Sequence, residues 1–170
     1  MKEVSSITGQ LVSLRPTTAE DLDFVINTEQ AEDNPAYVNV WSREQHRQFI
    51  DDSDTSHLIV DAVNDARRVG YVLIARRPDS NHSIELMRIT IAEKGRGFGR
   101  DALRLVKTLA FDQLGAHRLW LDVRDHNLRA QRLYESEGFV REGVLRDYNR
   151  VGDRYESLII MSILEHEYLA

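Results

Sequence analysis

Seven residues near the middle of the chain, Lys94-Gly95-Arg96-Gly97-Phe98-Gly99-Arg100, have the types and spacing to hold an anion. Three glycines in five positions let the backbone turn sharply and leave its N–H groups bare. Residues Ile84 to Ile91 before them read as a strand, by β-branched content and near-alternation. The residues after them place Ala102, Leu103, Val106, Leu109 and Ala110 on one face of a helix. A helix N-terminus with bare amides favours phosphate. Lys94, Arg96, Arg100, Arg104 and Lys107 add positive charge there, against one acid, Asp101. The chemistry implied is the cradling of a polyphosphate ligand.

The identity of that ligand is less direct. A P-loop needs Lys and Ser or Thr after its last glycine. Here Gly99 is followed by Arg100-Asp101, which argues against a nucleoside triphosphatase. A dinucleotide site is a nearer rival. Gly97-x-Gly99-x-x-Ala102 fits its fingerprint, and Asp122 lies about twenty residues on, placed to take a ribose. That fingerprint normally sits on the first strand of a parallel βαβ repeat, whereas here it follows what reads as an antiparallel meander.

The remaining composition narrows the classes. At 170 residues, one domain spanning 1–170 is expected, with 42% hydrophobic and 29% charged residues as in an ordinary globular protein. No cysteine is present, which excludes disulfides and cysteine nucleophiles and fits a cytoplasmic location. Met1 to Ser6 has no apolar core of the signal-peptide kind, and no stretch approaches a membrane span of about 18 apolar residues. The six histidines (His46, His57, His82, His117, His126, His166) show no paired metal-ligand spacing, so no metal is expected. The net charge is −6, and residues 1–60 hold 11 acids against 4 bases, a balance of −7. An acidic first third beside a basic loop suggests a cationic second substrate, with a merely solvated acidic face as the alternative. Nothing suggests nucleic-acid binding.

The elements that must position these residues follow in order. Gln10 to Arg15 reads as a strand ended by Pro16, and Thr18 caps a helix from Ala19 to about Glu29 with Leu22, Val25 and Ile26 inward. Glu29 to Asn39 is irregular, and Ser42 to Gln45 is a capping box opening a helix to about Asp52, with His46, Phe49 and Ile50 on one side. Strands at His57 to Val63 and Val69 to Arg76 form a hairpin, followed by a turn at 77–81. After the glycine loop and its helix, Gly115 is a stop, and Arg118 to Arg124 is a strand. A helix runs from Leu128 to Glu137 until Gly138, and Phe139 to Asn149 and Tyr155 to Leu164 are closing strands. Only the crossover through the long helix reads as parallel.

From Ile84 to Leu164 the sequence resembles the GNAT superfamily of acetyl-CoA-dependent N-acetyltransferases. Three features carry this. The family's Gln/Arg-x-x-Gly-x-Gly/Ala loop is here Lys94-x-x-Gly97-x-Gly99, with lysine as a departure. Asn127-x-x-Ala130-x-x-Leu133-Tyr134-Glu135-x-x-Gly138-Phe139 is close to the pattern after the family's fifth strand. Gly143 to Asp147, with the closing strand, resembles the branch containing ribosomal-protein N-terminal acetyltransferases and spermidine N-acetyltransferases. The first 80 residues match only in element order.

The resemblance implies an α+β fold: a mostly antiparallel sheet of about seven strands flanked by about four helices. It implies acetyl transfer to a primary amine of a small cationic amine, polyamine, amino compound or protein N-terminus, by direct attack. Lys94, Gly95, Arg96, Gly97, Phe98, Gly99 and Arg100 would hold the phosphates of CoA, and backbone at Ile89 and Ile91, with Asn127, its pantetheine arm. Tyr134 would be the general acid and Glu85 the general base, water being the other route for that proton. Glu29, Glu32 and Asp33 are candidate acceptor-site acids, each with the alternative of being simply solvated. A homodimer is possible. A non-catalytic CoA-binding module and an NAD-dependent oxidoreductase are the other readings.

Overall fold

The computed structural model describes residues 4–31, 40–76 and 81–170. Among them, eight strands form one sheet: β1 (Ile7–Thr8), β2 (Val12–Pro16), β3 (Thr55–Ala62), β4 (Arg68–Arg76), β5 (Ser83–Ile91), β6 (Arg118–Arg124), β7 (Val140–Val151) and β8 (Arg154–Leu164). Their order across the sheet is β1-β2-β3-β4-β5-β6-β8-β7. Every neighbour pair is antiparallel except β5 with β6, which the long helix joins as the expected single parallel crossover. The described residues also form five α-helices: α1 (Leu22–Glu29), α2 (Arg43–Asp51), α3 (Phe98–Thr108), α4 (Leu128–Ser136) and α5 (Glu165–Tyr168). The sequence reading lacked the two-residue β1 and the four-residue α5, both too short to show a period. The first helix also begins as a 3-10 turn at Ala19–Asp21, and α3 runs on into a π turn at Leu109–Gln113.

The sheet has a core on each face. One face packs under α3 and α4: Leu103, Val106 and Leu109 meet Val72, Ile74, Leu86, Leu119 and Leu121, all essentially excluded from solvent. Removing a side chain such as Leu103 here costs about 2–5 kcal/mol by lost transfer energy and the cavity left. The other face carries a smaller core of Val25, Ile59, Tyr71 and Leu73, with Phe24, Trp41 and Phe49 from the α1/α2 side. The helical spacing of α1 differs from expectation at its end, where Thr28 and Glu29 are buried and Ile26 only partly so.

β5 changes face midway. It pairs Leu86 with Ile74 but Arg88 with Leu73, so Met87 is an extra residue in a β-bulge. Ile84 and Leu86 therefore face α3, and beyond the bulge Ile89 and Ile91 face it too. Arg88 and Thr90 turn to the α1/α2 side, where simple alternation would have put them under α3. The bulge thus aims the end of β5 for the site described next.

Candidate active site

β5 and β6 are paired over only three positions, Ser83 with Arg118, Ile84 with Leu119 and Glu85 with Trp120. Beyond Glu85 they part, and a cleft of about 960 Å³ opens between them. Met87 to Ile91 form one wall, Asp122 to Arg124 the other, the glycine loop one end, and Asn127 to Ser136 a flank. On its far side β5 is bonded to β4, with Val72 opposite Ile89 and Gly70 opposite Ile91. Gly70 is required there, since a Cβ would lie 2.4 Å from the Thr90 carbonyl oxygen. The near edge of β5 at Ile89 and Ile91 is left facing the cleft.

The loop and helix stand as expected. Gly97 is the N-cap of α3 and has φ +80°, a left-handed conformation that side chains disfavour. Phe98 anchors the first turn in the core, and Gly95, Gly99 and Arg100 line the cleft with it. The cations differ from expectation. Asp101 points away from the loop and accepts from the Leu11 and Val12 amides at 2.8 and 3.0 Å. The opposing acid is Glu137, just past α4: Arg100, Arg104 and Lys107 all reach it, at 2.6, 3.1 and 3.1 Å. Burial pushes its carboxyl up, but hydrogen bonds from Arg104, Arg100 and Lys107 win and hold it at about 2. Three positive charges against one negative still leave the α3 terminus cationic. Arg96 is exposed beside Glu93, and Lys94 lies 3.4 Å from the Ile91 carbonyl.

Tyr134 lines the cleft with its body buried, its ring 5.8 Å from that of Phe139. Burial, and then the negative charge of Asp122, push its phenol well above the usual range. It is therefore fully protonated at neutral pH, the state a proton donor needs. Asn127 caps α4, its side-chain oxygen accepting from the Ala130 amide at 3.2 Å, which leaves the side-chain N–H groups as donors. Glu85 sits at the closed end, where β5 and β6 are still paired, and does not line the cleft. Asp122 does. It is exposed to the lumen, and crowding by the surrounding walls raises its carboxyl, with Arg124 opposing. The rival dinucleotide reading would have needed Asp122 on a ribose. The sheet has one parallel pair rather than the repeated units of a dinucleotide fold, so that role lapses. Its position in a strand whose alternate residues are core was the signal for a carboxylate facing the opposite side.

Glu29, a candidate acceptor-site acid with simple solvation as its alternative, is not a solvated acid. Glu29 has no exposure, is ion-paired with Arg88, and accepts from His46 Nε2 at 3.0 Å. It falls four residues after the buried Val25, a spacing that put it on the inward face of α1. Asp21 is likewise consumed, by Arg15 and Arg68 at 2.8 Å each, and hydrogen bonds from Arg15 and Thr18 keep its carboxyl well down despite burial. The −7 balance of residues 1–60 is therefore partly neutralised. Glu32 and Asp33 lie outside the described residues, as does most of the Glu29 to Asn39 stretch. Among the described residues no cluster of His, Asp and Glu suits a metal ion, and no helix is long and apolar enough to cross a membrane.

Comparison with known proteins agrees with this geometry. The model of the acetyltransferase (GNAT) family matches residues 26–139, about two thirds of the chain. The spermidine N(1)-acetyltransferase of Escherichia coli K12 is 28% identical over 170 residues, covering 94% of this chain and 89% of that protein. An uncharacterized N-acetyltransferase of Mycobacterium bovis is 34% identical over 110 residues, 64% of this chain and 68% of that one. The crystal structure of spermidine N-acetyltransferase from Vibrio cholerae, in complex with CoA and spermine, superposes with a TM-score of 0.84 at 27% identity, covering 94% and 99% of the two chains. A glycine loop at the head of α3, a cleft between parting parallel strands and this family match lead to one conclusion: the chain belongs to the GNAT acetyltransferase family and is an acetyl-CoA-dependent N-acetyltransferase.

Proposed function

We propose that the acceptor is a primary amine of a polyamine, and that the residues of the β5/β6 cleft divide the reaction as follows. The amides of 95–100 and the α3 terminus hold the CoA phosphates, with Lys94, Arg96 and Arg100 adding charge. The open edge of β5 at Ile89 and Ile91, with the Asn127 side chain, orients the pantetheine arm, and a β5 amide polarises the thioester carbonyl. The amine nitrogen attacks the carbonyl carbon, the C–N bond forms and the C–S bond breaks. The Tyr134 hydroxyl gives its proton to the leaving sulfur, and the second proton, shed by the attacking nitrogen as the amide forms, restores the phenol. The proton of the acceptor ammonium goes to a carboxylate, and Asp122, inside the cleft, is better placed for it than Glu85. Glu32 and Asp33 stay candidate acceptor acids.

The observation that carries this is the parting of β5 from β6, with the phosphate loop at one end and both Tyr134 and Asp122 in reach of the space between. The spermidine-acetylating relatives, matched over nearly the whole chain, support the polyamine. A peptide N-terminus or amino compound is the second reading. It is favoured by the neutralised Glu29 and by the excess of arginine over acid in the cleft lining. A panel of spermidine, spermine, amino acids, aminoglycosides and peptides, read by thiol release, tests this. Turnover of spermidine or spermine is expected, and a panel in which only anionic or peptide acceptors react would remove the polyamine. A cytoplasmic location and a homodimer belong to the same proposal, the latter supported by exposed Val140, Val144 and Tyr148 on the outer strand β7.

A further inference from the structure

A continuous buried hydrogen-bonded chain runs along the α1/α2 face of the sheet to the β5 wall of the cleft. Thr17 Oγ1 lies 2.8 Å from His57 Nδ1, His57 Nε2 lies 3.1 Å from His46 Nδ1, and His46 Nε2 lies 3.0 Å from Glu29 Oε2. The second Glu29 oxygen meets Arg88 Nη1, which also lies 3.3 Å from the Tyr71 hydroxyl. Each of the six residues is at most 9% exposed. Aromatic rings enclose them: Trp41 stacks 4.7 Å from the Arg88 guanidinium, and Tyr71 lies parallel to His57 at 5.7 Å. The chain crosses from the end of β2, through β3, α2 and α1, to the strand that bounds the cleft.

Stability alone does not explain it. Two buried charges carry a large desolvation cost, and apolar residues of the same volume usually serve a core as well or better. Burial, with His46 and then the positive charge of Arg88 near it, holds His57 down to about 3, so its imidazole is neutral at working pH. A neutral His57 has one ring nitrogen that donates and one that accepts, so its contacts to Thr17 and to His46 take opposite roles. Every link then fixes the next, and the last fixed group is Arg88, which lines the cleft.

Arg88 also stands immediately after the Met87 bulge, where β5 changes face. A bulge leaves a strand locally short of ladder bonds, so its shape needs support from outside the ladder. Trp41, Tyr71 and Glu29 grip Arg88 from the α1/α2 side. That grip sets the aim of Ile89 to Ile91, the edge that faces the substrates.

We infer that Arg88 is a positioning residue for the acceptor side of the cleft, held in place by the buried Glu29–His46–His57–Thr17 chain. Residues that touch no substrate thereby govern how tightly and productively the acceptor sits. This rests on the acetyl-transfer reading of the cleft. It adds that the lobe of α1 and α2 acts through β5, and that Glu29 serves it as a buried anchor rather than as an exposed ammonium site.

The test is a double-substitution cycle on the whole protein, with spermidine, or the best amine of the panel, as acceptor. Glu29→Gln and Arg88→Met each strand a buried charge and should lower the melting temperature. The pair together removes both charges and should recover most of that loss. If the chain positions the acceptor wall, the double variant stays about ten- to hundredfold down in kcat/KM for the amine, because a misplaced wall costs rate without contact. Its KM for acetyl-CoA should move little, since the phosphate loop is untouched. A double variant that recovers both stability and acceptor kcat/KM overturns the inference and leaves a structural ion pair. Arg88→Lys keeps the charge against Glu29 but loses the planar fork, and so covers the case in which the others fail to fold. Wild-type acceptor kinetics in Arg88→Lys would likewise overturn it, and an acceptor-selective loss supports it. Failure of the acetyl-transfer reading shows separately, as a wild-type protein that acetylates no amine of the panel.

Discussion

Arg100 Nη1 lies 2.6 Å from Glu137 Oε1, and this contact fastens the first turn of α3 to the end of α4. Arg104 and Lys107 close on the same carboxylate from the next two turns. The loop proposed to hold the phosphates and the helix that carries Tyr134 are thus joined through one residue that does neither job itself.

That joint has a pH dependence with a definite sign. The Glu137 carboxyl is held at about 2 in the folded protein against an ordinary 4.5. A depressed carboxyl contributes stability that is complete above its unfolded value and is lost as pH falls through the folded one. Melting temperature should therefore decline between about pH 4.5 and about pH 2, and Glu137→Gln should be less stable at neutral pH and decline less steeply. Asp21 and Glu142 are depressed as well, so the variant keeps part of the acid sensitivity. Equal acid slopes in the two proteins would show that the cluster contributes nothing. Arg100 and Arg104 are about half exposed, so high salt should shrink the difference.

The glycine loop gives a cleaner ligand test. A side chain at Gly97 would have to adopt φ +80° and place its Cβ 3.3 Å from Leu11 Cδ1. The left-handed conformation alone costs roughly 1–2 kcal/mol for an L-residue, more when β-branched. The backbone should relax away from it and take the bare amides with it. Gly97→Val is expected to weaken acetyl-CoA binding by about tenfold or more in calorimetric titration, with the fold retained by circular dichroism. Unchanged affinity in a folded variant would refute the cradle. Arg96→Ala, an exposed charge, should cost less and make binding less dependent on salt.

Tyr134 can be tested with a single atom. Tyr134→Phe keeps the ring against Phe139 and deletes only the hydroxyl. Turnover should fall roughly tenfold to ten-thousandfold under chemistry-limited conditions, with acetyl-CoA affinity nearly unchanged. Wild-type turnover in that variant would make Tyr134 a packing residue and give the leaving-group proton to water.

Much of this architecture is legible in residue order, and the exceptions share a cause. Strands such as Arg118 to Arg124 and the α3 stripe follow from local period, because each needs only its own alternation to choose a face. The left-handed Gly97 and the Asn127 cap follow from residue type. The charge pattern was misread wherever partners lie far apart in sequence. Asp101 sits among the loop cations yet bonds Leu11, and Glu137 stands outside them yet takes three. Glu29 meets Arg88 fifty-nine residues away. No local window contains those pairs. Arg88 was hidden a second time by the Met87 bulge, since alternation from Leu86 assigns it to the wrong face.

The choice of base is the sharpest consequence of the cleft's shape. Glu85 is held where β5 and β6 still pair, while Asp122 stands two residues further along β6, past the last paired position. A base that accepts the acceptor's proton must touch the space where the amine arrives, and only Asp122 of the two lines it. Crowding by the cleft walls raises its carboxyl, with Arg124 opposing, which brings it nearer the range of a working base. Asp122→Asn should lower kcat/KM for the amine by about a hundredfold or more, and Glu85→Gln only slightly. The same pair should differ in pH response. The acid limb of the wild-type kcat/KM profile should lie above the ordinary aspartate range, persist in Glu85→Gln and disappear in Asp122→Asn. The Tyr134 phenol, raised in part by the Asp122 charge, should in the same variant fall back toward its ordinary value, observable by ultraviolet titration. A full loss of activity in Glu85→Gln with Asp122→Asn unimpaired would reverse the assignment and require β5 to open further than it does here.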